Sequence, residues 1–336
     1  MTLRVIDTGY VSAVRSQALW HGLAEAMAPG ADPVLSFCRP AEAYVCLGYH
    51  RRLEELDLDV CAALGLPVLR RQIGGGPVYL DGDQLFFALI LPRSSAPAAV
   101  ARLYAELLEP AATALRSLGV PAEVASTNDI VAGGRKISGT GAGQIGEGVV
   151  VVGNVMFAFP HERMAAVLRV PDEPMRQECL SLMRAHVGTL PQLPEDAVKS
   201  ALRRAYSSAL GQPARSARPG AAEDAAITEW ERRLTEPGWI AGPSLAPPSG
   251  RQVKIRAGVW VYDGGAGETR VRIRVEDGRV TTAAVKDPAM NGRADGIARA
   301  LVGARAQREA LAARLVQFGD DGVRALQALA PGLVVR

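Results

Sequence analysis

Three adjacent glycines, Gly74 to Gly76, follow two arginines in a stretch that could bind an anion. Adjacent glycines remove every Cβ from a turn, so the backbone can adopt positive φ and approach a ligand closely. Free N–H groups in such a loop can form an anion-binding nest. Arg70 and Arg71 add permanently charged donors that suit a carboxylate or a phosphate. Taken alone, the stretch fits a flexible hairpin loop equally well, because it matches neither common phosphate-loop pattern.

A second glycine-rich stretch, residues 128–139, carries a lysine that could act on a ligand. A strand is predicted to open at Asn128 and Asp129, and a turn follows at Gly133 and Gly134. Lys136 then begins the returning strand, where the alternation of side chains can point it inward over a ligand. A lysine in a cleft can neutralise a phosphate and a developing oxyanion. For this lysine alone, a solvated position on a hairpin is the favoured interpretation.

Together, the two stretches resemble the signatures of the lipoate–protein ligase A and octanoyltransferase superfamily. Residues 70–81 follow the pattern Arg-Arg-x-x-Gly-Gly-Gly-x-Val-Tyr-x-Asp. Residues 128–139 are similar to the second signature, Asn-Asp followed by Gly-(Arg/Lys)-Lys-Ile-Ser-Gly. Weaker similarities lie at residues 46–49 and 184–190. The resemblance covers most of residues 30 to 245, and its two main motifs are specific as a pair and ambiguous singly.

This resemblance implies a reaction and a set of site residues. ATP would activate lipoate or octanoate as acyl-AMP, and a lysine of a lipoyl carrier protein or domain would then attack it. Lys136 is the expected catalytic residue, and Asp129 is the expected ligand of a Mg²⁺ ion. The residues expected to bind the substrate and its adenylate are Arg70, Arg71, Gly74, Gly75, Gly76, Val78, Tyr79, Asn128, Asp129, Ser138, Gly139 and Thr140.

The chain also departs from the family pattern. Members usually carry a histidine where this chain has Leu80, and often a histidine-containing run before the strand at residues 149–157. Neither place has a histidine here, which suggests a divergent branch serving a specialised lipoyl carrier. The histidines of the chain show no triad or metal spacing, so structural roles are expected for them: His21, His50, His161 and His186.

Two other functions stay open. An octanoyl or lipoyl transferase would take the acyl group from a carrier thioester without ATP, using a cysteine nucleophile. Cys179 is the only cysteine downstream of the Lys136 motif, but its surroundings predict the start of a helix. Residues 250–336 resemble the accessory domain of bacterial-type ligases, which transferases generally lack. A non-catalytic carrier-binding relative is the other alternative; the absent histidines favour it, and the retained Lys136 and glycine segments oppose it. A biotin ligase-like repressor has no support, because no N-terminal helix-turn-helix is predicted.

The elements that position these residues predict an α+β fold. Amphipathic helices are expected at residues 12–28 and 98–118. A strand at residues 68–71 runs into the glycine triplet, and a strand pair or long bent strand follows at residues 78–91. The glycine-dense residues 133–148 lie between two β-rich pieces, and the returning strand is expected to begin within them at Lys136. The resemblance implies a large biotin/lipoate ligase-like catalytic domain with mixed sheets flanked by helices at residues 1–245. A small α+β accessory domain would follow at 246–336, with a hairpin at Asp277 and Gly278.

Composition narrows the setting. The 336 residues are 48% hydrophobic and 22% charged, with a formal net charge of +3, which is typical of a globular protein and excludes a strong basic field for nucleic acid. The longest apolar run, residues 149–159, is shorter than the ~20 residues of a membrane span. The four cysteines show no paired spacing. A soluble protein of the reducing cytoplasm, without nucleic-acid or membrane partners, is therefore expected.

Overall fold

The computed structural model describes residues 1–97, 99–125, 128–245, 250–290 and 292–329. It forms two compact units: a larger unit of Met1–Arg169 and Arg184–Ser244, and a smaller unit of Val170–Met183 and Leu245–Arg336. The predicted boundary after residue 245 adjoins residues 246–249, which lie outside the described residues, as does Ala98 at the start of a predicted helix. The assignment of catalytic and accessory domains stays a prediction.

The chain up to Ser244 contains eleven strands and eight α-helices in its described residues. The strands are β1 (Leu3–Val11), β2 (Val34–Pro40), β3 (Tyr44–Leu47), β4 (Val68–Arg70), β5 (Val78–Leu80), β6 (Gln84–Pro92), β7 (Ala122–Ala125), β8 (Asp129–Ala132), β9 (Arg135–Ile145), β10 (Gly148–Met156) and β11 (Ala214–Ala217). The helices are α1 (Ala13–Glu25), α2 (Leu58–Ala63), α3 (Val100–Arg116), α4 (His161–Val167), α5 (Glu173–His186), α6 (Glu195–Leu210), α7 (Ala221–Leu234) and α8 (Pro237–Ala241).

Two mixed sheets organise the larger unit. The first has eight strands in the order β11-β1-β2-β6-β10-β9-β8-β7. Strand β1 is parallel to β11 and β2, and the other neighbours are antiparallel. The second sheet has the order β4-β3-β5, with β3 parallel to β4 and antiparallel to β5. The predicted α+β class with mixed sheets and helices is thus confirmed.

Helices cover both faces of the eight-stranded sheet. All nine residues of β6 are buried, which explains its almost continuous apolar sequence. Leu85, Phe87 and Leu89 lie in a cluster with residues of α3 and α6. Phe86 and Ile90 lie in a second cluster with residues of α1 and α7. Alternate side chains of one strand therefore supply two cores, and the sheet between them is a rigid base for the strands beside it.

The glycine-dense segment contains the predicted returning strand, which begins at Arg135, one residue before Lys136. Most of residues 133–148 belong to this eleven-residue strand, β9. Its pairing with β10 runs from Ile145 to Thr140. Glycine lowers the intrinsic preference for a strand. Here, hydrogen bonds to β10 and β8 on either side, together with close approach by other groups, outweigh that preference.

The smaller unit contains an antiparallel four-stranded sheet, β12 (Gly250–Arg256), β13 (Val259–Ala266), β14 (Thr269–Glu276) and β15 (Arg279–Lys286), with helices α9 (Ala294–Leu301), α10 (Arg308–Leu315) and α11 (Asp320–Leu329). Asp277 and Gly278 both have positive φ, at 47° and 77°, which matches the predicted hairpin turn. Residues 170–183 group with this unit because Met175 and Cys179 are buried and Asp172 forms an ion pair with Arg272, 2.7 Å away.

No helix among the described residues combines the length and apolar character needed to cross a membrane.

Candidate functional site

A two-residue turn delivers Lys136 to the site. Gly133 and Gly134 have φ of 56° and 74°, which suits a tight hairpin between Ala132 and Arg135. Val131 lies opposite Lys136 in the same register, and the register of β8 and β9 then shifts, so that Ile130 lies opposite Ser138. On its other side, the main-chain oxygen of Lys136 accepts a hydrogen bond of 2.8 Å from the N–H of Gly188. The backbone of this lysine is therefore fixed on both sides.

The ammonium of Lys136 is paired with a buried carboxylate. Its Nζ lies 2.8 Å from Oδ1 of Asp129, whose side chain has no exposed surface, whereas the lysine side chain is 22% exposed. Gly139 lies opposite Asp129 across the two strands. A Cβ added to Gly139 would be 3.0 Å from both Cε and Nζ of Lys136. The spacing Asn-Asp…Lys-Ile-Ser-Gly thus gives the lysine an anion to pair with and a surface without a side chain to lie on.

The other predicted residues of this hairpin mostly bond to one another. The Nδ2 group of Asn128 donates to the main-chain oxygen of Thr140 at 3.0 Å, and the Thr140 hydroxyl donates to the main-chain oxygen of Asn128 at 2.6 Å. The Oγ of Ser138 is buried and has no hydrogen-bond partner within the described part of the chain. Asn128 and Thr140 therefore brace the hairpin, and Ser138 keeps a hydroxyl with unused bonding capacity.

Arg70 is buried, and main-chain carbonyl groups surround it. Its guanidinium donates to the oxygens of Gly48, Tyr49 and Arg51 at 3.0, 2.9 and 2.6 Å. It also donates to the oxygens of Ile240 and Ala241 at 2.9 and 3.1 Å. These bonds tie strand β4 to the loop after β3 and to helix α8. Arg70 is therefore a positioning residue, and its predicted contact with an acyl group stays a prediction.

Arg71 shapes the glycine loop from inside. Its guanidinium donates to the main-chain oxygens of Gly74 and Gly76 at 2.9 Å each, and to that of Cys46 at 3.0 Å. Gly75 has φ of 102°, and a Cβ there would be 2.6 Å from Nη2 of Arg71. The positive φ therefore favours glycine at this position, and the arginine approaches its open side. At Gly74 and Gly76, an added Cβ would have no described atom within 4 Å, so the loop has open space beside it.

Ile73 brings the two sequence motifs together. Its side chain is 4% exposed and lies on strand β9. A Cβ added to Gly141 or Gly143 would be 2.6 or 2.7 Å from the Ile73 side chain. The alternate glycines of β9 therefore form a hollow that accepts Ile73. Through this contact, the loop that begins at Gly74 is attached to the strand that carries Lys136.

A neutral histidine supports the loop from behind. The Nε2 atom of His21 accepts a 3.0 Å hydrogen bond from the N–H of Gln72, and Nδ1 donates to the main-chain oxygen of Gln17 at 2.7 Å. Trp20 stacks on the ring with centroids 3.5 Å apart. Burial lowers the pKa of His21 to about 3, so the ring is neutral and can act as this acceptor. The role is structural, as the sequence predicted.

The end of the first motif is mostly buried. Val78 is half-buried, and Tyr79 is buried with its hydroxyl accepting a 3.2 Å hydrogen bond from Arg163. Leu80, the departure from the family pattern, lies in the apolar cluster that also contains Trp20 and Leu69. A histidine there would have to place a polar ring among these groups, so the apolar residue suits its surroundings.

Three residues near the site were not found from the sequence. Asn154 accepts a 2.8 Å hydrogen bond from the N–H of Gly139, and Gln84 accepts one of 2.6 Å from Asn154. Burial raises the pKa of Tyr104, whereas a hydrogen bond with the main chain of Ala142 and the cation of Arg71 act in the opposite direction. These residues come from β10, β6 and α3. No motif marked them, because their roles depend on pairing between distant segments.

The predicted role of Asp129 as a ligand of Mg²⁺ stays a prediction. The described residues contain no group of three or more His, Cys, Asp or Glu side chains that could hold a metal ion. The carboxylate of Asp129 is fully buried and faces the Lys136 ammonium. Asp129 is thus placed to hold the ammonium of Lys136.

All four cysteines are buried. Burial raises the pKa of the Cys179 thiol to about 12 and that of Cys38 to about 12. Burial also raises the thiol pKa of Cys46 and Cys61. Cys179 lies in the part of α5 that belongs to the smaller unit. Because thiolates are the nucleophilic form, each of these thiols is suited to structure and not to attack on a thioester.

Residues 13–206 match the model of the lipoyl protein ligase A/B catalytic domain family. The chain is similar to lipoate-protein ligase A subunit 1 of Thermoplasma acidophilum, with 32% identity over 54% of this chain and 73% of that protein. It is also similar to the octanoyltransferase LipM of Moorella thermoacetica, with 28% identity over 54% of this chain and 74% of that protein.

Solved structures give the same likeness. A bipartite lipoate protein ligase from Thermoplasma acidophilum, studied with its E2 lipoyl domain, superimposes with a TM-score of 0.66 at 25% identity, covering 73% of this chain and 98% of that one. A lipoate-protein ligase A bound with ATP has a TM-score of 0.62 at 24% identity, covering 72% and 99%. LipL1 of P. falciparum, in complex with lipoate, has a TM-score of 0.57 at 13% identity and covers 97% and 99%, so its fold extends through the C-terminal region.

The main-chain carbonyl groups that accept hydrogen bonds from Arg70, called the carbonyl cage here, are expected to stabilise the fold. Substitution Arg70→Lys keeps the charge but replaces a planar fork of donors with one ammonium, which cannot reach carbonyls on two separate segments. We expect the free energy of unfolding to fall by about 3 kcal/mol, because several buried carbonyls lose charged donors. Urea unfolding measures this change.

Arg184→Lys is the matched control for that substitution. Arg184 is 59% exposed and pairs with Glu162, so its replacement is expected to change the free energy of unfolding by less than about 1 kcal/mol. Equal urea midpoints for the two variants would show that the carbonyl cage does not hold the structure together.

Proposed function

The chain belongs to the lipoyl protein ligase A/B catalytic domain family, and we propose that it is an ATP-dependent lipoate–protein ligase. The family transfers acyl groups, and within it both ligases and octanoyltransferases are similar to this chain. The observation that carries the proposal is the Lys136–Asp129 pair beside a glycine strand onto which Ile73 attaches the Gly74–Gly76 loop.

The proposed reaction has two steps. In the first, a carboxylate oxygen of lipoate or octanoate attacks the α-phosphorus of ATP, and the bond to pyrophosphate breaks to give acyl-AMP. In the second, the amine of a carrier lysine attacks the acyl carbon, the bond to the AMP oxygen breaks, and the amine loses a proton. Both steps develop negative charge on oxygens that a fixed cation can stabilise.

Lys136 is the residue we assign to that cation. Its Nζ is held by Asp129, so little reorganisation is needed when charge develops on a bound phosphate or carbonyl oxygen. Asp129 acts as a positioning residue. The open space beside Gly74 and Gly76 leaves their backbone free to border the activated carboxyl group. The other predicted substrate contacts, at Val78, Tyr79 and Ser138, are part of the same proposal.

Two observations favour the ligase over the transferase. A transferase needs an accessible nucleophilic thiol, whereas the four cysteines are buried with raised thiol pKa values. The chain also continues into a C-terminal unit, and a relative of the same fold is known bound to ATP. The similarity to octanoyltransferases keeps acyl transfer from a carrier thioester as the second candidate.

The proposed acceptor is the lysine of a lipoyl domain, since one structural relative was studied with its E2 lipoyl domain. A specialised carrier is consistent with Leu80, which removes the usual histidine from the first motif. The magnesium expected with ATP enters as part of the nucleotide substrate.

Removal of the Lys136 ammonium tests the enzyme directly. Purified protein with ATP, magnesium and lipoate is expected to release pyrophosphate, and Lys136→Ala is expected to slow release by about 10²–10³-fold, as for loss of one electrostatic donor. Lys286→Ala removes an exposed lysine of the smaller unit and is expected to leave the rate unchanged. Absence of pyrophosphate with both lipoate and octanoate would refute the ligase, and an unchanged rate in Lys136→Ala would refute the role of this lysine.

Alkylation separates the ligase from the transferase. Because burial raises the thiol pKa values, the thiols stay protonated at pH 8, and iodoacetamide is expected to leave acyl transfer by the native protein unchanged. Cys179→Ala is expected to keep the same rate. Protein alkylated after unfolding in guanidinium, in which all four cysteines react, is the positive control for the reagent. Loss of native activity with modification of one cysteine would instead favour a thioester mechanism.

A further inference from the structure

Next to Lys136, the side-chain amide of Asn154 takes the place of one backbone-paired position in the sheet. The pairing of β10 with β9 ends at Gly153 and Thr140. The next residue pair in this register would be Asn154 and Gly139. In its place, Oδ1 of Asn154 accepts the N–H of Gly139 at 2.8 Å.

The amide of Asn154 continues into a second amide. Its Nδ2 group donates to Oε1 of Gln84 at 2.6 Å. Gln84 is fully buried, and its Nε2 group donates to the main-chain oxygen of Tyr79 at 3.1 Å and to Oδ1 of Asp81 at 3.3 Å. A main-chain N–H at one end and a main-chain carbonyl at the other determine the orientation of both amides. The chain of bonds therefore has one direction.

This chain of bonds connects the two motifs at the point where chemistry is proposed. Tyr79 and Asp81 end the first motif, and Gly139 ends the second. Gly139 also lies directly under Lys136, since a Cβ there would be 3.0 Å from Nζ. A shift of the Gly139 backbone would consequently change the position and direction of the Lys136 ammonium, which packs against it.

We propose that Asn154 and Gln84 are positioning residues for Lys136, acting through the backbone of Gly139. This inference rests on the proposed role of Lys136 in acyl transfer. Neither residue belongs to a signature motif, and neither needs to contact the substrate. Their function is to keep the first motif and the lysine strand in one fixed relation while charge develops on the substrate.

Two isosteric variants interrupt the chain at different bonds. In Asn154→Asp, the carboxylate still accepts from Gly139 but has no donor for Gln84. In Gln84→Glu, an ionised carboxylate still accepts from Asn154 but cannot donate to Tyr79. The protonated form of the introduced acid can do both, so protonation is expected to rescue this variant. Burial and the carboxylate of Asp81, whose Oδ1 lies 3.3 Å from Nε2 of Gln84, both favour the neutral acid, which moves the rescue to an accessible pH.

Gln144→Glu is the matched control. Gln144 lies on the same strand and donates to the main-chain oxygen of Gly146 at its exposed end, 3.0 Å away. This substitution makes the same change of amide to acid without breaking a hydrogen bond between Gly139, Asn154 and Gln84. Urea unfolding of all three variants establishes that each is folded, and Asn154→Asp, at a half-buried position, is the milder of the two test substitutions.

The experiment measures hydrogen exchange and kinetics on the full-length variants. For Asn154→Asp and Gln84→Glu, we expect faster amide exchange in a peptide containing residues 136–141, and a kcat for lipoate transfer lower by about 10–100-fold with KM within about 3-fold, because positioning acts mainly on the transition state. The deficit of Gln84→Glu relative to the wild type should shrink as pH falls, and Gln144→Glu should match the wild type throughout.

The two readouts separate the possible failures. Normal exchange with normal kcat in both test variants would overturn the proposal, as would faster exchange with normal kcat. A pH profile of Gln84→Glu parallel to that of the wild type would overturn the proton rescue and with it the assigned direction of the bonds. If the wild type transfers no acyl group, the proposed function fails, and faster exchange in the variants alone would then identify a bond that is structural only.

Discussion

The ion pair between Lys136 and Asp129 is the interaction around which this site is built. A carboxylate without exposed surface is costly unless a cation compensates it, and the effective penalty is several kcal/mol per ion. The pair therefore constrains its neighbours. Asp129 has to begin strand β8, the turn has to reverse in two residues, and Gly139 has to lack a side chain beneath the ammonium. The residues of the second motif meet these three requirements.

The two adjacent arginines of the first motif have different structural roles. Arg70 gives its donors to carbonyls on two remote segments, and Arg71 gives its donors to the glycine loop itself. A φ of 102° favours glycine at Gly75, whereas Gly74 and Gly76 border open space. The motif was first interpreted as an anion-binding loop. Its conformation is also organised by a cation, the Arg71 guanidinium, which donates hydrogen bonds to carbonyl oxygens of the loop.

Sequence patterns predicted the parts of this protein that depend on local chemistry or on a whole motif. The α+β class, the Asp277–Gly278 turn and the structural role of His21 all follow from such patterns. The surroundings of Arg70 could not be predicted, because its partners at Ile240 and Ala241 are 170 and 171 positions away in sequence. The same holds for Asn154 and Gln84, 70 positions apart. The returning strand at Lys136 was predicted, but its extent to Ile145 was not, because its glycines weaken the strand signal. These glycines are what admits Ile73 and Lys136.

We propose that ATP, acting at the Lys136 site, drives attachment of lipoate to a carrier lysine. Intact-mass spectrometry of a candidate lipoyl domain, incubated with this protein, lipoate and magnesium, tests it most directly. With ATP, the mass of the domain should rise by one lipoyl group, and without ATP it should stay unchanged. An unmodified domain in the presence of ATP, together with modification from an octanoyl carrier thioester in its absence, would contradict the account.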